Sequence, residues 1–428
     1  MPTPITSLSA PTPRLFDVAL PDVRLEAGAR VSNHLVRGWW WGPEEDLPWL
    51  HSRARILPEE EARASTLRVV RRTVAEQRQS AERARARGPA RAPARVPTVL
   101  LVHALTGDMR AGGEGGWWEP LIGPGRALDP SRARLLCFNN LGSCYGTTGP
   151  ADEGFPGRLD DVRFGPPPSV AKGDLRQDES RLPATITPWD QARSILLALD
   201  ALDVDEVALV TGGSLGGMIV LCLAALAPER FARMAPIATA ESATSWVVGF
   251  NHVARQALLL DPGFPEAAHR GLELARQLAM LTYRAEAGLE RGQARPAAWS
   301  SRALYPVQSY LEHQGRKLEA RFDARAYLAL LGAMDHHDLS RCIDRGLPRI
   351  RASALCVGID QDQLFLPHHM EALARRLREH GRHAEHALLS SPYGHDGFLV
   401  EWEAMAALLT RALALPEGPR SAARVQVA

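Results

Sequence analysis

A serine inside Gly212-Gly213-Ser214-Leu215-Gly216-Gly217 carries the strongest chemical signal in this 428-residue chain. It follows the apolar run Val207-Ala208-Leu209-Val210 and precedes an apolar helical stretch from Met218 to Leu226. The G-x-S-x-G spacing therefore falls in the strand, turn and helix setting that makes a nucleophile. A serine forced into so tight a turn adopts strained backbone angles that only small flanking residues tolerate, and the turn lifts its hydroxyl above the sheet edge. The helix amino terminus beneath it aims the Leu215 N–H and the positive end of the helix dipole at a developing oxyanion. A nucleotide-phosphate loop is the competing reading of such glycines, and the absence of a lysine after them argues against it.

A serine nucleophile needs a base. Of fourteen histidines, His395 has the fitting position: it lies in Ser391-Pro392-Tyr393-Gly394-His395-Asp396-Gly397-Phe398, after the apolar run Ala387-Leu388-Leu389 and before a final helix, with glycines on either side expected to leave it exposed in a loop. Chains built on this elbow follow the order nucleophile, acid, histidine, and the acid then comes from Gly358-Ile359-Asp360-Gln361-Asp362, behind the apolar run starting at Leu355. Asp360 is closer to the strand end; Asp362 lies further along a loop that can turn toward the histidine and is favoured. The acid holds the imidazole tautomer and stabilises its cation. A second oxyanion donor is expected from the loop His103-Ala104-Leu105-Thr106-Gly107-Asp108, where the Leu105 N–H is the candidate.

These loops need a sheet to position them. Pro97 to Val102, Arg134 to Phe138, Val207 to Val210 and Ala354 to Val357 read as strands buried on both faces, with helices between them. One helix opens at Thr187-Pro188-Trp189-Asp190, a cap followed by proline at the first helical position. The alternation implies an α/β fold with a mostly parallel sheet and right-handed crossovers. From Ala240 to about Asp344 the strand signal disappears and stretches such as Gly271 to Arg291 and Phe322 to Met334 read as helices, an inserted lid above the strand ends. The expected division is residues 1–58 as amino-terminal strands, 59–96 as an Arg/Ala-rich insertion, 97–240 as core, 241–345 as helical lid and 346–428 as the rest of the core.

Composition narrows the partners. The formal net charge of +1, from 50 Lys+Arg against 49 Asp+Glu, provides no global field for nucleic acid or an anionic membrane, so small molecules are the expected partners. Cys137, Cys144, Cys222, Cys342 and Cys356 are widely spaced and mostly embedded in apolar runs, which favours buried thiols in a reducing compartment. The start lacks a basic and apolar leader, and no apolar stretch approaches the roughly 20 residues needed to cross a bilayer. A cytoplasmic location is expected. The insertion from Glu59 to Arg95 interleaves arginines with glutamates and has no aromatics, which favours a solvated helix or disordered loop over a partner-binding or nucleic-acid arm. In Asp335-His336-His337-Asp338 the adjacent histidines would point about 100° apart on a helix, so no metal site is expected and pocket lining is.

The chain resembles the homoserine O-acetyltransferase family of α/β-hydrolase-fold acyltransferases. The resemblance rests on His103-Ala104-Leu105-Thr106-Gly107-Asp108, Gly116-Trp117-Trp118, Ile122-Gly123-Pro124-Gly125, Asn140 to Cys144, Gly149-Pro150, the elbow, Phe250-Asn251, Arg255-Gln256-Ala257, Thr282-Tyr283-Arg284, Ala333-Met334-Asp335, Gly358 to Asp362 and Gly394-His395-Asp396. It implies a ping-pong reaction of methionine biosynthesis with no bound cofactor: acetyl-CoA, as co-substrate, acylates Ser214, CoA departs, and the hydroxyl of L-homoserine attacks with His395 as base. It also implies Arg284 on the acceptor carboxylate, Asp396 on its ammonium, and a homodimer. Leu215 stands where the family commonly has methionine, Ser143 where glycine is frequent, and Ala240-Glu241-Ser242-Ala243 lacks an expected arginine. Those departures leave serine as acceptor and succinyl as donor open. An esterase or thioesterase on the same triad and a catalytically silent binding protein are the other readings.

Overall fold

The short apolar runs assemble into one sheet. The computed structural model describes residues 12–62, 79, 96–152, 155–156, 186–264, 267–295, 305–340 and 346–418. Its strands are β1 (Arg14–Ala19), β2 (Val23–Arg24), β3 (Arg30–Val31), β4 (Leu35–Trp41), β5 (Arg55–Ile56), β6 (Thr98–Val102), β7 (Arg134–Phe138), β8 (Leu209–Gly213), β9 (Arg233–Ile237), β10 (Ser353–Ile359) and β11 (Ala384–Leu389). Among the described residues, nine of them form a sheet in the order β11, β10, β9, β8, β6, β7, β4, β1, β5. From β7 to β11 the neighbours are parallel, while β4, β1 and β5 continue the sheet antiparallel. Helices cover both faces, which is why β6, β7, β8 and β10 are buried at every position and β6, β7 and β10 carry apolar runs rather than alternation.

The helices are α1 (Leu47–Arg53), α2 (Pro188–Ala201), α3 (Leu215–Leu226), α4 (Ser245–Leu259), α5 (His269–Tyr283), α6 (Glu286–Gln293), α7 (Pro306–Glu319), α8 (Ala324–Asp335), α9 (His368–Glu379), α10 (Gly397–Val400) and α11 (Trp402–Ala414). The expected start of α2 is observed: the Asp190 N–H donates to Thr187 Oγ1, and the Thr187 N–H donates to Asp190 Oδ2. Between β9 and β10 the described elements include α4 to α8 and no strand of the sheet. No described helix is long and apolar enough to cross a membrane. The Arg/Ala-rich insertion lies outside the described residues, apart from 59–62, 79 and 96, and so does Cys342; Cys137, Cys144, Cys222 and Cys356 are buried free thiols.

Two differences from the sequence reading bear on the site. Strand β8 runs from Leu209 to Gly213 because Gly212 and Gly213 stay in register with Val102 and Ile237; Val207 forms only a bridge to Phe231. The stretch Gly271 to Arg291 is broken into α5 and α6, since Arg284 is extended, at φ −107° and ψ 130°.

Buried ion pairs hold the antiparallel flank together and join it to the parallel core. Arg37 on β4 donates from Nε and Nη2 to Asp17 on β1, at 2.7 and 2.9 Å, with both side chains 3% exposed. Arg134 on β7 donates from Nε and Nη2 to the single oxygen Asp46 Oδ2, at 2.9 and 2.7 Å, and lies 4.4 Å above the Trp49 ring. Removing one partner strands the other charge in a low-dielectric interior. Asp17→Asn is therefore expected to destabilise the fold by about 3–5 kcal/mol. Urea unfolding should show a lower midpoint with an unchanged slope.

Candidate active site

Three loops carry the expected residues, and all leave the carboxyl ends of parallel strands: Ser214 after β8, Asp362 after β10 and His395 after β11. Ser214 has φ 58° and ψ −125°, left-handed values that cost an L-residue energy, and its N–H donates to Ile237 O at 2.9 Å. A Cβ at Gly212 would lie 2.5 Å from the Val102 carbonyl oxygen and one at Gly216 only 2.3 Å from it, so both positions exclude any side chain. Leu215 opens α3; its N–H belongs to the first turn, which has no intrahelical acceptors.

His395 departs from expectation in one respect: it is buried, 3% exposed, rather than exposed in its loop. The rings of Tyr283, Phe365 and Phe398 surround it at centroid distances of 5.5, 5.5 and 5.8 Å. The Phe398 ring also occupies the space a Cβ on Gly213 would take, 2.5 Å away, so the histidine loop packs on the serine turn. Trp118 fixes this loop by donating to Phe398 O at 2.9 Å. On the other side, His395 Nδ1 lies 2.7 Å from Asp362 Oδ2, while Asp362 Oδ1 accepts the N–H groups of Leu364 and Phe365 at 2.8 and 2.9 Å. Asp360 is committed elsewhere, accepting from Ser390 Oγ and the Ser391 N–H. His395 Nε2 is buried without a hydrogen-bond partner among the described residues.

The Leu105 loop lies against the same turn, since a Cβ at Gly216 would also meet His103 O at 3.0 Å. His103 is buried and holds the loop start: its Nδ1 lies 2.9 Å from Ala104 O, and the Asn140 N–H donates to Nε2 at 3.0 Å. Burial lowers its pKa against the opposing effects of Ala104 O, Asp108 and Asn139, and because Nε2 accepts the Asn140 N–H, the proton sits on Nδ1 facing Ala104 O. The Leu105 N–H makes no hydrogen bond to a described residue.

Arg284 and Asp396 meet at the rim, Nε to Oδ2 at 3.1 Å, where the guanidinium also lies 5.4 Å from the Tyr393 ring centroid. The helix break at Arg284 brings them together, and periodicity alone did not announce it. Tyr310, whose phenol pKa is raised by burial and lowered by the nearby Arg284 charge, is a further member of this cluster that sequence reasoning missed. A cleft of about 470 Å³ runs past this rim, lined by Leu281, Arg284, Glu286, Leu289, Tyr305 and Gln363 among others. Trp246 on α4, also unforeseen, donates to Gln363 O at 2.7 Å, one residue beyond Asp362. The Asp335 to Asp338 segment turns to neighbouring protein groups: Asp335 receives Asn251 and Arg255, and His337 Nε2 lies 2.9 Å from Ala240 O.

The charges give His395 a defined protonation behaviour. Burial disfavours its cation, but the charge and hydrogen bond of Asp362 and the charge of Asp396 outweigh burial and raise the pKa above the ordinary 6.5. Asp362→Asn removes the largest raising influence and leaves the burial. NMR titration of the imidazole should place the wild-type midpoint above 6.5 and the variant's below the wild type's; an unmoved midpoint would contradict this account of the pair.

The sequence matches the α/β-hydrolase-fold family over residues 97–401. It is 37% identical to a homoserine O-acetyltransferase of Moorella thermoacetica over 336 residues, covering 73% of this chain and 84% of that one. An enzyme of the same name from Thermus thermophilus is 36% identical over 340 residues, covering 73% and 80%. Among solved structures, a homoserine O-acetyltransferase from Bacillus anthracis superposes with a TM-score of 0.69 at 18% identity, over 94% of this chain and 98% of that one. Esterase E22 gives 0.68 at 17%, over 94% and 100%. With its elbow, its carboxylate-paired histidine and these relatives, the chain belongs to the homoserine O-acetyltransferase family of the α/β-hydrolase fold.

Proposed function

We propose that the protein transfers the acetyl group of acetyl-CoA to the hydroxyl of L-homoserine through an acyl-enzyme on Ser214. The observation that carries this reading is the Arg284–Asp396 pair, 3.1 Å apart, beside the buried His395. Water needs no such pair. A zwitterionic amino acid does: the guanidinium suits its carboxylate, the aspartate its ammonium, and the two can exchange each other for the substrate's charges at little electrostatic cost.

In the reaction, the Ser214 hydroxyl attacks the thioester carbonyl while its proton passes to His395 Nε2. Asp362 holds the ring through Nδ1 and stabilises its cation. The oxyanion is received by the N–H groups of Leu105 and Leu215, reinforced by the amino terminus of α3. Collapse expels CoA, which takes the proton from His395. The homoserine hydroxyl then attacks the acyl-enzyme, again giving its proton to His395, and collapse returns that proton to Ser214. No bound cofactor takes part. The cleft beside Arg284 is the entry we assign to acetyl-CoA, and we read residues 241–345 as a lid.

The same reading makes the enzyme cytoplasmic, which the buried free thiols support, and homodimeric. Trp246, Val253 and Leu260 recur at seven-residue intervals along α4 and just past its end, Leu274 and Leu281 do so on α5, and all are exposed. Such an apolar stripe suits a second copy related by a two-fold axis.

A CoA-release assay crossing acetyl- and succinyl-CoA with homoserine and serine should be fastest with acetyl-CoA and homoserine. Mass spectrometry should find an acetyl adduct on wild-type protein and none on Ser214→Ala. Arg284→Ala should raise the homoserine KM at least about tenfold, the worth of a charge-assisted hydrogen bond, and leave acylation of Ser214 intact; an unchanged KM argues against the assigned acceptor site. Val253→Glu should halve the mass seen by light scattering without loss of helical content.

A further inference from the structure

Leu105 sits in a loop whose shape decides where its N–H points, and that loop is held from several directions. From the core, His103 Nδ1 fixes the Ala104 carbonyl, the Gly107 N–H donates to Ala104 O at 3.0 Å, and Trp117 Nε1 donates to Asp108 O at 2.9 Å. The Thr106 carbonyl has a different anchor. Arg321, between α7 and α8, donates from Nη1 to Thr106 O at 2.9 Å and to the Tyr145 hydroxyl at 2.5 Å. No other described side chain donates a hydrogen bond to the Thr106 carbonyl.

We propose that Arg321 is a positioning residue for the oxyanion loop: its guanidinium, braced by Tyr145, fixes Thr106 and thereby the Leu105 N–H that must meet the tetrahedral intermediate. This rests on the acyl-enzyme reading above. The brace is stiff at both ends. Tyr145 is 1% exposed, with its ring edge-on to Phe322 at 5.7 Å. The Arg321 N–H closes the end of α7 on Leu318 O, and two residues later Asp323 Oδ1 caps α8 through the Arg325 and Ala326 N–H groups. A charged donor on a half-buried carbonyl is a strong, directional hydrogen bond. Arg321 touches no reacting atom, so its effect should appear only where the oxyanion does.

The test compares Arg321→Met, Arg321→Lys and Tyr145→Phe with wild type by steady-state kinetics, pH profiles and binding of phenylboronic acid. Boron accepts the Ser214 oxygen while the serine proton passes to His395, leaving a tetrahedral anion that uses the oxyanion donors. For Arg321→Met, kcat should fall about 10- to 100-fold, the range set by loss or misplacement of one such donor. The KM values should stay within about twofold, since ground-state binding does not use the donors. The acid limb of the pH profile should not move, because His395 and Asp362 are untouched, and boronate affinity should weaken in step with kcat/KM. Lysine should retain part of the rate. Tyr145→Phe, which keeps the buried ring, should give a smaller loss with the same signature and stands in if Arg321→Met does not fold. A normal kcat in these variants, or a loss of kcat with boronate affinity intact, overturns the proposal while leaving the acyl-enzyme reading in place. A wild type that takes no acetyl group on Ser214 overturns both.

Discussion

The Val102 carbonyl oxygen sets the shape of the turn at Ser214. It faces Gly212 on one side of Ser214 and Gly216 on the other, at distances that leave no room for a methyl group at either position. Because β6 and β8 are paired in register, with Val102 opposite Gly212, the sheet itself presses this oxygen into the turn. The strained backbone at Ser214 is then over-determined by its surroundings: the ladder holds the strand end, the Ser214 N–H is bonded to Ile237 O, and α3 begins at the next residue. The loop that continues from Val102 carries Leu105. One packing constraint thus puts the serine hydroxyl, the first N–H of α3 and the opposite loop within a single small region.

Charge organises the other half of the site. His395 is surrounded by three aromatic rings, a setting that by itself would disfavour the protonated imidazole. Asp362 and Asp396 reverse that, but differently. Asp362 is bonded to the ring and locked by two backbone N–H groups, so it acts on orientation as well as charge. Asp396 acts across space and is partly neutralised by Arg284.

Much of this was legible from residue order. The elbow announces itself because a turn with no room for side chains demands glycines at fixed offsets, and the buried strands announce themselves because parallel sheets covered on both faces need unbroken apolar runs. Asp362 could be preferred to Asp360 only by loop length, and the contacts show why the difference matters: Asp360 is consumed in tying down Ser390 and Ser391. The burial of His395 was not legible, since flanking glycines and a loop position suggest exposure, and the rings that enclose it come from Tyr283, Phe365 and Phe398, two of them far away in sequence. The break between α5 and α6 was hidden as well, because Leu/Ala/Arg periodicity runs through Arg284 without a proline or glycine to interrupt it.

Arg321 and Trp246 escaped for a related reason, and their common feature bears on what the helical segment does. Each is a side-chain donor on or beside the helices between β9 and β10, and each is spent on a backbone carbonyl in a loop of the sheet: Thr106 beside Leu105, and Gln363 beside Asp362. A carbonyl acceptor leaves no trace in sequence, because every residue has one. A segment that only roofed a cleft would need apolar packing against the core and little else. These helices also reach the loops that carry Leu105 and Asp362, so any shift of the segment would be felt at both loops together.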